Sequence, residues 1–314
     1  MNNNNLTFNQ TFNEYLKYSK LKLKPQTLLG IERGFKKHIL PFIGNKSIYN
    51  FDSNNYFEWQ NYIKSLGLSD SFNKNIQIMF KRFYDYLEQF YDLKNIPKKY
   101  GFFKTFTPSN KQILNVWSIK EYRKFIKHVD NKIYHALFNL LFFTGVRKGE
   151  ALALRFNDID KNYIYINKTI TKELFNNEHL ETSPKTKKSI RKIRIDRFLK
   201  RELFKLRKYY IKCFDNYNDN FYIFGGNKPI AQTTLKRKKD YYCKIANVKQ
   251  IRIHDFRHSH ATILYHKKIN IKTIQERLGH ADESTTVNKY VHLNIKDEKK
   301  VLLTLNFLHY FRFF

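Results

Sequence analysis

Arg147 and Glu150 stand three residues apart in FFTGVRKGEALALRFNDID, a spacing that puts both on one face of a helix. Gly145 allows a tight turn just before them, so Arg147 falls at a helix start. A helix N-terminus and an arginine fork each favour a phosphate, and Glu150 can reach back to fix the direction of the guanidinium. The same two residues would also make an ordinary surface ion pair. In IRIHDFRHSHATILYHKK, His254 and Arg257 repeat the three-residue spacing. An imidazole beside a guanidinium suits phosphate oxygens and proton transfer at one centre. His254 and His258 are four apart, as in zinc sites, yet no Cys or Glu flanks them and Arg257 would repel a cation. His258 and His260 read better as hydrogen-bonded core histidines.

Further along, NIKTIQERLGH reads as a helix with Asn270 as N-cap, Ile271, Ile274 and Leu278 on its buried stripe, and Gly279 as a left-handed stop. His280 follows where the chain turns, which holds it rigidly. ADESTTVNKYVHL then opens another helix, and Tyr290 within it, taken alone, is one more aromatic core residue. Lys185, Lys187 and Lys188 crowd the turn PKTKKS. Glu150, Asp158 and Asp160 raise a different chemistry, a two-metal nuclease, although acidic residues leading into a strand are commonly caps or turn formers.

The elements that must carry these residues are mainly helical. Phe72, Ile76, Met79, Phe83, Leu87 and Phe90 recur at three and four residues, the period of a helix with one buried face. KPQTLLGIERGFKKHILPFIG reads as a single helix opened near Pro25 and closed by Pro41 and Gly44. The aperiodic stretch Ile96 to Trp117 reads as a linker, and SIKEYRKFIKHV after it starts with a capping box of Ser118 and Glu121. YIYINKTI and IRKIRI alternate with period two, as half-buried strands do, with TSPKTKKS as the turn between them. The expected architecture is mainly α with a small antiparallel sheet: a helical domain over residues 1–100, a linker at 101–112, and a larger domain at 113–314.

With 59 Lys and Arg against 27 Asp and Glu, the formal net charge of +32 calls for a polyanionic partner, nucleic acid before an anionic membrane surface. The longest apolar run, ALFNLLFFTGV, is too short to span a bilayer and is interrupted by Asn139. No membrane partner is expected. Two cysteines give no disulfide framework, and the N-terminus lacks a signal-peptide pattern, so the expected location is the cytoplasm, at the nucleoid.

Taken together and in order, TGVRKGEALAL, KTKKS, HDFRHSHAT, LGH and TTVNKYVHL resemble the tyrosine recombinase, or phage integrase, family over about residues 110–295. LKPQTLLGIERGFKKHILPFIGNKSI is more loosely similar to the family's core-binding domain. The resemblance implies a clamp of two domains on DNA and a catalytic set of Arg147, Lys185, His254, Arg257, His280 and Tyr290, with Lys187 and Lys188 as rivals of Lys185. Tyr290 is then the nucleophile and Lys185 the acid that protonates the departing 5′ oxygen. The intermediate is a 3′-phosphotyrosyl ester, which needs neither ATP nor metal, so no cofactor is expected. The implied partners are double-stranded recombination sites, a homo-tetramer on two duplexes, and accessory directionality proteins.

The spacing from His280 to Tyr290 resembles integrases of phages and mobile elements better than Xer recombinases, which points to integration or excision of a mobile element. Chromosome-dimer resolution and topoisomerase IB-like nicking and resealing are alternatives with the same chemistry. A DNA-binding protein without catalysis is the alternative of another class. The apolar tail with Leu302, Leu303, Phe307, Phe311, Phe313 and Phe314 would pack on a neighbouring protomer or complete its own core. No arm-binding domain is expected before residue 6.

Overall fold

The computed structural model describes residues 6–103, 115–171, 181–182 and 189–279. The chain divides into two compact units, Met1–Gln112 and Ile113–Phe314. Both are mostly helical, and among the described residues the strands lie in the second.

In the first unit, α1 (Phe8–Lys22) starts at a capping box of Thr7 and Gln10. Helix α2 (Pro25–Gly34) takes Pro25 at its first position, where the missing N–H was unpaired anyway. The single helix expected up to Gly44 is interrupted by a π-type turn, Phe35–Ile39, before α3 (Leu40–Ile43). The Leu40 N–H donates to the Phe35 carbonyl, five residues back, and Pro41 has no N–H to resume the regular ladder. Pro41 therefore lies in the first turn of a new helix and does not close the old one. Helices α4 (Ser53–Ser65), α5 (Asp70–Tyr91) and α6 (Ile96–Tyr100) complete the unit.

Its core is aromatic, with Phe12 stacked on Phe35 at 4.3 Å and Trp59 against Phe80 at 4.2 Å. Of the stripe expected on α5, Ile76, Phe83 and Leu87 are buried together with Phe80 and Tyr84. Phe72 and Phe90 are exposed, because the two ends of this 22-residue helix run past the core.

The second unit begins inside the stretch Ile96 to Trp117 that was expected as linker. Trp117 is a buried anchor: its backbone N–H donates to Ser259 Oγ and its indole N–H to the Lys249 carbonyl, both at 2.9 Å. Helix α7 (Ile119–Ile126) carries the expected Ser118–Glu121 box, and α8 (Lys132–Thr144) runs through the centre of the core. Asn139, the polar interruption of the apolar run, accepts the buried Tyr122 hydroxyl at 2.6 Å. No described helix is long and apolar enough to cross a membrane.

After α9 (Lys148–Ala153) come β1 (Ile159–Asp160), β2 (Tyr163–Ile166), β3 (Thr169–Ile170), β4 (Glu181–Thr182) and β5 (Arg191–Arg194). A three-stranded antiparallel sheet is ordered β1-β2-β5, and its register pairs the buried Ile164 with Ile193. The long strand expected over 163–170 is broken at Asn167–Lys168, where Lys168 turns its ammonium onto Asp158 at 2.9 Å. β3 pairs separately with β4, so Thr182 belongs to a strand and not to the turn. Helices α10 (Arg197–Cys213), α11 (Gln232–Ile245), α12 (Ile253–His266) and α13 (Ile271–Leu278) follow.

Candidate phosphate-binding site

Helix α8 stops at Gly145, whose φ of +67° is left-handed. A Cβ there would lie 2.7 Å from Leu278 and 2.8 Å from His260, so this corner needs glycine for both conformation and space. Two residues on, Arg147 is the N-cap of α9. Glu150 returns to it as the sequence spacing suggested: Oε2 accepts the Arg147 backbone N–H and Oε1 accepts Nη1, each at 2.8 Å. Gly149 lets this turn sit against β3, since a Cβ would come within 2.5 Å of Thr169 Oγ1.

Glu150 is only 3% exposed, and it holds a second guanidinium that the sequence reading did not single out. Arg191, at the start of β5, donates from Nη2 to Oε2 at 2.9 Å and from Nη1 to Oε1 at 3.2 Å. Its Nε donates to the Arg277 carbonyl at 2.8 Å, while Arg147 Nη2 donates to the Gly279 carbonyl at 3.0 Å. Both arginines therefore close on the C-terminal end of α13. Burial pushes the Glu150 carboxyl upward, but the hydrogen bonds and charge of Arg191, then the charge of Arg147, outweigh it and hold the group below its ordinary value.

Arg257 on α12 is buried and donates from Nη1 to the Gly145 carbonyl at 3.0 Å. That bond ties the second arginine to the loop that presents the first. His254, one turn earlier, is exposed and faces His258 edge-on at 4.9 Å. It lines a cleft of about 950 Å³ together with Lys148, Lys236, Lys239 and Arg252. Among the described residues no three His, Cys, Asp or Glu side chains lie together as metal ligands would. Two of the three carboxylates of the nuclease alternative are committed elsewhere: Glu150 to two arginines, Asp158 to Lys168 and the Arg155 backbone N–H.

His260 fixes the same corner from below. Its Nε2 faces Arg277 Nε at 3.2 Å and its Nδ1 faces the Phe142 carbonyl at 2.9 Å. Because an arginine Nε always carries hydrogen, Nε2 accepts and Nδ1–H donates, which makes the ring neutral. Burial first, then the Arg277 charge, depress its pKa to about 3. The unfolded chain takes up this proton near pH 6.5 and the folded one does not, so stability is full above 6.5 and falls as pH drops toward 3. Denaturant unfolding should show about 2 kcal/mol less stability at pH 5 than at pH 7 from this group alone. His260→Gln should lose that part of the slope; a slope unchanged in the variant would contradict the neutral ring.

Of the six site residues expected from the sequence, Arg257 is tied to Gly145, two residues before Arg147, and His254 lines a cleft with Lys148. Lys185, His280 and Tyr290 lie outside the described residues, as do Lys187, Lys188 and the apolar tail. The described neighbours of two of them join the cluster: Arg147 binds the carbonyl of Gly279, and Arg191 that of Ser189 at 3.0 Å.

Arg147, Arg191 and Arg257 lie at or beside the corner between α8 and α9, and His254 lines a cleft shared with Lys148. Residues 116–297 match the phage integrase family and residues 7–64 the phage integrase N-terminal SAM-like domain. The chain belongs to the phage integrase family, the tyrosine recombinases, enzymes that cleave and rejoin DNA strands. It is 28% identical to the ICEBs1 integrase of Bacillus subtilis (strain 168), over 91% of this chain and 79% of that one. It is 31% identical to a XerC-like tyrosine recombinase of Caldanaerobacter subterraneus, over 79% of this chain and 75% of the relative. The fold is shared with the Tn1549 transposon integrase in complex with transposon right end DNA, at a TM-score of 0.75 and 20% identity, covering 96% of this chain and all of that one. A lambda integrase dimer bound to a core site gives a TM-score of 0.66 at 16% identity, over 92% and 78% of the two chains.

Proposed function

We propose that this integrase inserts or excises a mobile element by site-specific strand exchange, with Tyr290 as nucleophile. The observation that carries the reading is that Arg257 bonds the Gly145 carbonyl, two residues before Arg147, while the Arg147 guanidinium bonds the Gly279 carbonyl at the end of α13. Two guanidiniums so placed would hold the non-bridging oxygens of a phosphodiester and bind them more tightly as charge develops in the transition state. His254 adds a donor or a base from the cleft side, and His280, the residue after Gly279, a further donor. The Tyr290 phenolic oxygen attacks phosphorus and gives its proton to His254 acting as base, and the bond to the 5′ oxygen breaks. Lys185 gives that oxygen a proton.

The product is a 3′-phosphotyrosyl ester and a free 5′ hydroxyl. Attack by a 5′ hydroxyl from another strand reverses the step and releases the tyrosine, so no ATP is consumed. Exchange between two duplexes calls for a tetramer, the state in which a lambda integrase has been seen on a Holliday junction. Accessory directionality proteins would bias the outcome, and the N-terminal unit would supply the second half of a clamp on the DNA, acting at the nucleoid. The test is a nicked suicide duplex carrying a site selected for tight binding, incubated in chelator. The wild type should form a covalent protein–DNA adduct and Tyr290→Phe should bind without forming one. An undiminished adduct in the variant would remove Tyr290 from the role.

A further inference from the structure

We infer that Arg191 is a positioning residue of this reaction, which neutralises Glu150 so that Arg147 keeps its positive charge for the phosphate. The inference rests on the proposed role of Arg147. Glu150 must be there, because it caps α9 and aims the Arg147 guanidinium. Alone with Arg147, however, a carboxylate 3% exposed and 2.8 Å away would cancel the charge that the phosphate needs. Arg191 lies on the other side of the same carboxylate, with a side chain 7% exposed and two hydrogen bonds to it. One negative and two positive charges leave the cluster with a net positive charge, and of the two arginines Arg147 is the more exposed, at 36% of its side chain. Arg191 also reaches the Arg277 carbonyl through Nε, so it bonds a carboxylate and a main-chain oxygen at once, an arrangement that suits the planar fork of an arginine. The cost of removing it would fall on the charge felt by the substrate, even though Arg191 itself need not touch the DNA.

The experiment measures the rate of adduct formation by the full-length chain on the nicked duplex for Arg191→Met, Arg191→Lys and the double variant Arg191→Met with Glu150→Gln. A charge role predicts that Arg191→Met is slowed by about 30-fold or more, that Arg191→Lys stays within about 5-fold of wild type, and that adding Glu150→Gln to Arg191→Met recovers about 10-fold. A second arm replaces one non-bridging oxygen of the scissile phosphate by a methyl group, which makes the phosphate neutral. On that substrate the penalty for Arg191→Met should shrink to a few-fold, since there is less negative charge for Arg147 to meet. Thermal unfolding of each variant identifies any that fails to fold, and the lysine and double variants then carry the comparison. Should the neutral phosphate not be cleaved, the charge series decides. Arg191→Lys as slow as Arg191→Met, no recovery in the double variant, or equal losses on charged and neutral phosphates would each overturn the inference. If the wild type forms no adduct, or Tyr290→Phe keeps it, the reading of the site fails instead, and the two failures are told apart by that control.

Discussion

Arg147→Gln should form the phosphotyrosyl adduct about 10²–10³-fold more slowly than the wild type, a loss of about 3–4 kcal/mol in the transition state. The size follows from what the glutamine cannot do. Two of the five N–H groups of Arg147 are directed to Glu150 and Gly279, and this pins the fork, while 36% of the side chain stays exposed for a phosphate to reach. Glutamine has the reach for one of those bonds and carries no charge. DNA binding should change far less, with the salt dependence of affinity falling by about one counterion, because one phosphate contact among many is removed. Single-turnover rates on the suicide duplex, with binding measured across a salt series, check both parts. A variant that binds poorly and yet reacts at the normal rate once bound would assign Arg147 to docking rather than chemistry.

Glu150→Ala should be the most damaging change to the fold near the site, destabilising the chain by about 3–5 kcal/mol. Removing this carboxylate leaves Arg147 and the nearly buried Arg191 facing each other without the anion between them, and takes away the cap of α9. The same logic sets a pH dependence. The folded carboxyl is held below its ordinary value of 4.5, so its contribution is complete above that pH and is lost as pH falls through the depressed value. Denaturant unfolding at pH 7 and at pH 3 should show a smaller difference in Glu150→Ala than in the wild type. Glu150→Gln, whose single amide oxygen can accept two of the four hydrogen bonds, should fall between the two in stability at pH 7 and, having no carboxyl to titrate, should share the smaller pH difference of Glu150→Ala. Wild-type stability in Glu150→Ala would mean that the carboxylate is not the hub of this corner.

Part of this corner was legible in the sequence. Arg147 with Glu150 follows from three-residue spacing, and two hydrogen bonds join them, whereas His254 and Arg257 share the spacing and part ways, the one exposed against His258 and the other buried on the Gly145 carbonyl. Gly145 and Gly279 were legible as stops because each ends an apolar period. Arg191 was not, because in IRKIRI it occupies one place in an alternating strand and nothing local says that its partner is Glu150, 41 residues away. The π-type turn at Phe35–Ile39 and the break at Lys168 escaped for a similar reason. Each depends on a local bond, Leu40 to Phe35 or Lys168 to Asp158, that neither propensity nor periodicity encodes. Helix α10 did carry a signal, Leu199, Leu203, Leu206 and Tyr210 at helical spacing, and it was open to the same reasoning that identified α5.

The side chain that becomes joined to DNA identifies the nucleophile most directly. The adduct formed on the nicked suicide duplex in chelator can be digested with nuclease and protease and the nucleotide-bearing peptide sequenced by mass spectrometry. The predicted result is a 3′-phosphonucleotide on Tyr290, formed by the wild type and absent in Tyr290→Phe. A nucleotide on any other residue, or cleavage with no covalent peptide at all, would contradict it.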